Sequence, residues 1–337
     1  MVGSMPSPTL FFETINAFQK TEALRSAIEL DLFTLCSQGN QTAASLAAAT
    51  KTSARGVRIL ADVLTIYGFL TKQGNVYELT PDSRVFLVRS SPAFLGGVVE
   101  FLLTPQIREC FHYLTAAVRR GGTAVSDEGT VSYDNPVWVA FARAMGPMMQ
   151  LPAQLLTGLI GGDSEQPLRI LDVAAGHGLF GIAFAQKYPQ SRVTALDWAN
   201  VLAVATENAQ QAGVADRYNL LPGSAFEVNW GGPYDIVLLT NFLHHFDLPT
   251  CQQIAATAFG CLAPGGRCVT LEFIPEADRI HPPATATFAL TMLATTARGD
   301  AYTFAEYDQV FQQAGFARNE FHPLPPTMQQ IVVSYKA

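Results

Sequence analysis

Charge is scarce in this sequence. Only 15% of its 337 residues are charged, and acids outnumber bases to leave a net charge of −7. That balance disfavours nonspecific binding to nucleic acid or an anionic membrane, and neither is expected as a partner. Cysteine is rarer still. The five residues at 36, 110, 251, 261 and 268 form no C-x-x-C pair, which predicts free thiols in a reducing compartment and a cytoplasmic setting. No His, Cys or acid spacing suits zinc, so no metal is expected. No run of about 18 uncharged apolar residues offers a membrane span. The start of the chain has no basic-then-apolar leader, and residues 1–4 are left out of the fold reading.

Apolar residues are plentiful at 49%, enough for substantial cores, and the length predicts about two domains. The pattern divides the chain into 1–92, 93–160 and 161–337. Thr9 to Ala27 predicts an amphipathic helix with Leu10, Phe11, Ile15, Phe18 and Leu24 at helical spacing. Helices over 42–49 and 53–67 precede a hairpin turning at Gln73, Gly74 and Asn75. Helix, helix, hairpin is a winged-helix pattern. Its sharp reading is DNA contact, but only Lys51, Arg55 and Arg58 offer positive charge there. The apolar first helix favours dimerisation instead. Residues 93–119 predict one long helix. Asn135 and Pro136 cap the next, whose stripe of Trp138, Phe141, Ala142, Met145, Met148 and Met149 is core, with Met145 and Met149 also candidates for a pocket wall.

From Leu168 onward, strands alternate with helices, which predicts a parallel sheet covered on both faces. The strands are read at 168–173, 192–197, 218–221, 234–240, 267–274, 317–322 and 330–335. Too few residues join the last two for a crossover, so they should pair antiparallel. Residues 275–299 interrupt the alternation with a helix near 284–296, whose Phe288 and Met292 either face the ligand crevice or pack against the long helices before residue 160.

Leu168–Gly181 organises this half. A buried strand turns into a helix through glycines, and Gly176 and Gly178 let the backbone approach a ligand. Gly176, Gly178 and Gly181 spell G-x-G-x-x-G with Asp197 about 20 residues on, the dinucleotide pattern. Asp172 argues against NAD, because a carboxylate at the strand end repels a diphosphate and favours a sulfonium. S-adenosylmethionine is therefore the expected cofactor, with NAD the runner-up.

Further candidates gather at the strand ends. Asp197 suits two ribose hydroxyls, and Trp198 offers a face to adenine. Ser224, Ala225 and Phe226 follow the third strand, and Asn241 the fourth. His244 and His245 follow Asn241 as an adjacent pair, of which one should face the ligand and take a hydroxyl proton. Glu272 ends the fifth strand and can orient that imidazole. Met145, Met149, His245, Phe288 and Met292 are the expected acceptor pocket.

The runs 172–178, 196–197, 221–226, 243–246 and 263–267, taken in order, resemble the class I S-adenosylmethionine-dependent methyltransferases. The winged-helix front, Phe141–Met145 and the stretch from Met292 to Thr303 narrow the resemblance to the small-molecule O-methyltransferases of plant phenolic, acetylserotonin and bacterial tailoring type. The resemblance implies an α/β fold: a Rossmann-like, doubly wound seven-stranded sheet with a terminal antiparallel strand, plus an N-terminal winged-helix domain. It implies a homodimer, a small-molecule acceptor and release of S-adenosylhomocysteine. It assigns the catalytic base to His244, its orienting acid to Glu272 and the nucleotide-binding acid to Asp197; read from the strand ends, the cofactor contacts are Asp172, Ala174, Gly176, Asp197, Trp198, Ser224, Ala225, Phe226 and Asn241.

There are departures from the family pattern. Ala174 and Ala175 replace its glycine pair, Ser224 an adenine-binding aspartate, and Thr240 a lysine. The histidine's second acidic partner falls on Ala301, beside Asp300. Carbon or nitrogen methylation, S-adenosylmethionine chemistry without methyl transfer, and a winged-helix regulator are the alternatives.

Overall fold

In the computed structural model, which describes residues 5–127, 129, 137–160, 162 and 165–337, the chain divides into two units between Glu100 and Phe101. The first helix of the first unit is two helices, Thr9–Ile15 and Ala17–Glu29, broken at Asn16. None of Thr9–Ile15 is buried, and Leu10, Phe11, Phe12 and Phe18 are each more than half exposed. Thr42 and Ser45 form a capping box that starts Ala43–Thr50, and the Ser53 hydroxyl caps Ala54–Ile66. Strands β1 (Leu70–Gln73) and β2 (Val76–Leu79) complete the hairpin, closing through the Gln73–Val76 pair. Phe33, Leu46, Leu64 and Tyr77 fill the core beneath. Asp62 takes the Arg58 guanidinium at 2.9 Å and the Lys72 ammonium at 2.5 Å, so Arg58 is already paired within the unit.

Three helices stand where one was expected over 93–119: Gly96–Leu102, Pro105–His112 and Leu114–Arg120. Pro105 cannot continue a helix because it lacks an N–H, and Thr104 instead caps a new one. The cap expected at Asn135 and Pro136 lies outside the described residues. Val137–Ile160 is one helix despite Pro147 and Pro152 within it.

The second unit is built on a seven-stranded sheet. Its strands are β3 (Arg169–Val173), β4 (Arg192–Asp197), β5 (Tyr218–Pro222), β6 (Tyr234–Thr240), β7 (Leu262–Glu272), β8 (Arg318–Pro323) and β9 (Gln330–Tyr335). Their order is β5-β4-β3-β6-β7-β9-β8. Pairing is parallel from β5 to β7, whereas β9 runs antiparallel between β7 and β8. The reversal of strand order at β3 opens a crevice beyond the strand ends. Ile170, Leu171, Leu196, Val237 and Leu239 are fully buried or nearly so, as the continuous apolar runs of a sheet covered on both faces require.

β7 begins at Leu262 and ends at Glu272, earlier at both ends than expected. Tyr234 pairs with Leu262 and Ile236 with Arg267, so 263–266 bulge out of register. The segment after β7 is Pro283–Ala286 and Phe288–Thr295, split at Thr287. Thr303 and Glu306 form the expected capping box on Phe304–Gln313.

Candidate active site

The turn after β3 is held by backbone conformation. Ala174, Gly176 and Gly178 have φ values of 53°, 58° and 75°, a left-handed region that a residue with a Cβ normally avoids. A Cβ on Gly176 would meet nothing closer than 3.9 Å, and Gly176 lines the cavity described below. Gly178 differs from expectation. A Cβ there would lie 2.6 Å from the Tyr218 hydroxyl and 2.9 Å from Ala205, so this glycine admits the neighbouring helix, not a ligand.

Two carboxylates support the turn in different ways. Asp172 is fully buried, accepts the Gly181 N–H at 3.0 Å through Oδ2, and leaves Oδ1 unpartnered. Burial pushes its carboxyl up to about 7. The expectation that Asp172 faces the ligand is corrected. Strand alternation turns its side chain beneath the loop, where burial disfavours its charge, and Val173 is the last strand residue. Asp197 does line the cavity. Its Oδ2 accepts from the Gly176 N–H at 2.8 Å and its Oδ1 from the Trp198 N–H at 2.7 Å. Burial raises its carboxyl to about 6.

The turn after β6 is organised by one side chain. Glu272 is fully buried, and its Oε1 accepts from the N–H groups of Phe242, Leu243 and His244 at 2.9, 2.8 and 3.4 Å. Its Oε2 lies 2.5 Å from His244 Nδ1. An acceptor at Nδ1 holds the proton there and leaves Nε2 as the basic nitrogen of the neutral ring. The Phe288 ring meets the His244 ring edge-on at 4.9 Å and stacks on Phe273 at 3.9 Å. The stretch 298–302 presses on the same turn. Asp300 N–H donates to the His244 carbonyl at 3.0 Å, the Tyr302 hydroxyl to the Phe246 carbonyl at 2.8 Å, and Arg298 to Asp247 at 3.1 Å. Ala301 is buried, and the Asp300 carboxylate lies 3.7 Å from Arg279.

His244 and His245 divide as adjacent residues should. Their ring centroids are 4.3 Å apart, but only His245 lines the cavity. Burial, and then the neighbouring His244, push His245 well below the ordinary histidine value, and its Nδ1 has no partner. It is a neutral imidazole with a free polar atom, packed against Trp138 at 5.2 Å.

The cavity between the two turns has a volume of about 350 Å³. Of the residues read from sequence, Ala174, Gly176, Asp197, Trp198, Ser224, Ala225, Phe226, Asn241, Met149 and His245 line it. Asp172, Met145, His244, Glu272, Phe288 and Met292 do not. Met145 and Met292 are buried in packing, and Phe288 covers His244. Sequence reasoning placed Trp138 and Phe141 in the core, yet both line the cavity, and it missed His177. His177 is held neutral by burial, which pushes it down to about 4, and its Nδ1 accepts the Leu179 N–H at 3.2 Å. Its place inside the glycine motif was the available signal.

All five cysteines are free and buried. Among the described residues there is no His, Cys, Asp and Glu grouping fit for a metal, and no helix is long and apolar enough to cross a membrane.

Two family profiles and several solved structures match the chain. A profile of the O-methyltransferase domain matches residues 111–317, and one of the O-methyltransferase dimerisation domain matches residues 12–89. A crystal structure from Nostoc punctiforme, provisionally named an O-methyltransferase, is 52% identical and superposes with a TM-score of 0.94 over 99% of this chain and 100% of that one. The 3-hydroxy-5-methyl-1-naphthoate 3-O-methyltransferase of Streptomyces sahachiroi is 27% identical over 91% of this chain and 89% of its own. Human N-acetylserotonin methyltransferase in complex with S-adenosylmethionine shares the fold, with a TM-score of 0.86 and 23% identity over 100% of this chain and 99% of that one.

Proposed function

We propose that this chain, which belongs to the O-methyltransferase family, moves a methyl group from S-adenosylmethionine to a hydroxyl, phenolic in class, of a small apolar or aromatic acceptor. The observation that carries this reading is the Glu272–His244 pair directly behind His245, which lines a cavity whose other end is the glycine turn.

The residues present fit the cofactor. The cavity's volume is within the 300–1,000 Å³ usual for small-molecule sites. Ala174, Gly176 and Asp197 would hold the polar end of the nucleoside, and Trp198, Ser224, Ala225, Phe226 and Asn241 its base and flank. S-adenosylmethionine supplies a methyl group on a cationic sulfur, already activated for displacement. The chain's own task is to bind, orient and deprotonate the acceptor. Trp138, Phe141 and Met149 give the acceptor an apolar wall that excludes water. His245 offers a neutral polar contact. His244 stands one layer behind the cavity wall, its ring 4.3 Å from that of His245, and its Nε2 takes the hydroxyl proton of an acceptor that reaches past His245, while Glu272 stabilises the imidazolium that forms. Asp172 acts from beneath as a support of the turn.

We read the first unit as the homodimerisation module, because its first helix presents Leu10, Phe11, Phe12 and Phe18 to solvent. The division into 1–92, 93–160 and 161–337 stands as part of this reading, with the part of the middle segment around Trp138 to Met149 forming the acceptor wall. A cytoplasmic location belongs with it.

The test is His244→Ala, followed with methyl-labelled S-adenosylmethionine and a panel of phenols, with product masses recorded. Turnover should fall by roughly 10²–10⁴ while S-adenosylhomocysteine affinity holds. Unchanged turnover overturns the base assignment. A product without the labelled methyl overturns methyl transfer and favours the reading that Ala301, in place of a second acid, invites.

A further inference from the structure

Two buried polar side chains have no task in the reaction described above. Gln329 and Gln330 stand just before and at the start of β9, 2% and 9% exposed. Gln330 is the backbone partner of Glu272 across the β7–β9 ladder. Its side-chain Oε1 accepts the N–H of Ile274, two residues past Glu272, at 2.9 Å. Since β7 ends at Glu272, this side chain adds one rung beyond the last backbone pair. Terminal rungs open first in any ladder, so the extra rung moves Glu272 away from the fraying end.

Gln329 grips the neighbouring strand. Its Nε2 donates to Asn241 Oδ1 at 2.6 Å and approaches Met149 Sδ at 3.6 Å, and Asn241 Nδ2 approaches the same sulfur at 3.6 Å. A thioether only accepts, so two N–H groups converging on it set which end of each amide is nitrogen. Asn241 is the first residue after β6 and has a φ of 52°. A residue with a side chain keeps that conformation only where its surroundings hold it. Its own N–H donates to the Leu271 carbonyl at 2.8 Å.

One dipeptide thus holds the exits of two adjacent strands. The β6 exit opens into the turn that carries His244, and the β7 exit carries Glu272. The bonds that aim the imidazole all run between these two exits. We propose that Gln329 and Gln330 are positioning residues that fix the β6 and β7 exits against each other, so that the Glu272–His244 contact is set before an acceptor arrives. Its catalytic meaning rests on the reading of His244 as the base.

The test follows the proton between His244 Nδ1 and Glu272 Oε2 by NMR. A buried imidazole N–H donating to a carboxylate gives a downfield resonance, assigned by its loss in His244→Gln. In Gln330→Met, the resonance should move upfield and exchange with water about tenfold faster, the equilibrium weight of one buried neutral hydrogen bond. Gln330→Leu, also without an acceptor but of different shape, should move the signal to the same extent, because the lost rung and not the packing sets it. An unaltered resonance in Gln330→Met overturns the proposal. A Leu variant that leaves the signal in place while Met moves it overturns it too, since packing alone would then explain the change. Should Gln330→Met not fold, Gln329→Met removes the other rung at equal side-chain length and is judged by the same signal. None of these readouts needs turnover. A wrong base assignment, seen as full turnover in His244→Ala, is therefore distinguishable from a failed clamp.

Discussion

The two turns that close the cavity are built by opposite means. The glycine turn after β3 is backbone work. Positive φ values at three alternate residues, 174, 176 and 178, shape it, and two carboxylates of raised proton affinity brace it, each accepting one or two N–H groups. The turn after β6 is side-chain work. A single glutamate from the next strand receives three N–H groups and an imidazole, and side chains and an N–H from 298–302, together with Gln329, hold the turn from outside. A backbone-built turn tolerates side-chain change around it, whereas a turn hung on one carboxylate fails with that carboxylate. Substitutions can therefore break or sharpen the contrast.

The largest effect is expected at Glu272. In Glu272→Gln, the side-chain oxygen can still accept the three N–H groups, but the amide nitrogen donates to His244 Nδ1 and forces the proton to Nε2. The ring is then the wrong tautomer for a base. Turnover should fall by about 10³–10⁴, the scale of comparable tautomer-fixing carboxylates in other enzymes, with S-adenosylhomocysteine affinity retained. Equal loss of affinity would show that the two turns are not independent. On the other side, Asp197→Ala removes the acceptor of the Gly176 and Trp198 N–H groups. Calorimetry should show S-adenosylhomocysteine affinity about 10–100-fold weaker, the range for hydrogen bonds to a charged group, without loss of the His244–Glu272 proton resonance.

The contrast also explains what the sequence made legible. The glycine turn is local, so six residues with glycines at fixed spacing announce it, and the alternating strands announce the sheet around it. Residue type at the strand ends was enough to pair His244 with Glu272, 28 positions apart, because a parallel sheet brings its carboxyl ends together. What escaped depends on packing at a distance. Asp172 was read as facing the ligand, because its direction follows from a strand end one residue further on. Phe288 and Met292 share the helix Phe288–Thr295 and do not line the cavity, Phe288 meeting His244 and Met292 being buried, a choice between crevice and packing that sequence leaves open. Trp138 and Phe141 lie on a stripe that packs and lines at once, which helical spacing does not separate. Gln329 and Gln330 carry no motif at all. Only the antiparallel return of β9 brings them to the site.

A middle-sized effect tests how tightly the second turn is held. A Cβ on Gly299 would lie 2.3 Å from the His244 carbonyl oxygen and 3.0 Å from the His245 carbonyl carbon, and neither is a flexible side-chain end. Gly299→Ala should cost about 1–3 kcal/mol in urea unfolding, the usual penalty for overpacking. It should also shift the His244–Glu272 proton resonance, which no substitution confined to the glycine turn should do. If stability and resonance both stay put, 298–302 does not brace the turn.

The smallest effect, and the one that bears on the cofactor, concerns Asp172. Its carboxyl is raised from 3.8 to about 7, chiefly by burial and then by the nearby Asp197 against the single Gly181 N–H that favours the charge. The folded protein therefore holds a proton there that the unfolded chain releases above about pH 4. The stabilisation from that proton is complete below the unfolded value and lost as pH rises through about 7. Asn cannot ionise and keeps an oxygen for Gly181, so Asp172→Asn should gain melting temperature relative to the unaltered protein between pH 5 and pH 8. The gain should be several degrees, since each kcal/mol is worth about 2–4 °C in a unit of this size. Tyr218 faces the same space with an unpartnered hydroxyl, and Asp197 carries a raised carboxyl of its own, but both are common to the two proteins and largely cancel in the difference. A gap that does not change with pH would mean that Asp172 stays ionised under the turn. The floor would then be negative at neutral pH, and the preference for a cationic sulfur would rest on charge beneath the loop as well as on Asp197 beside it.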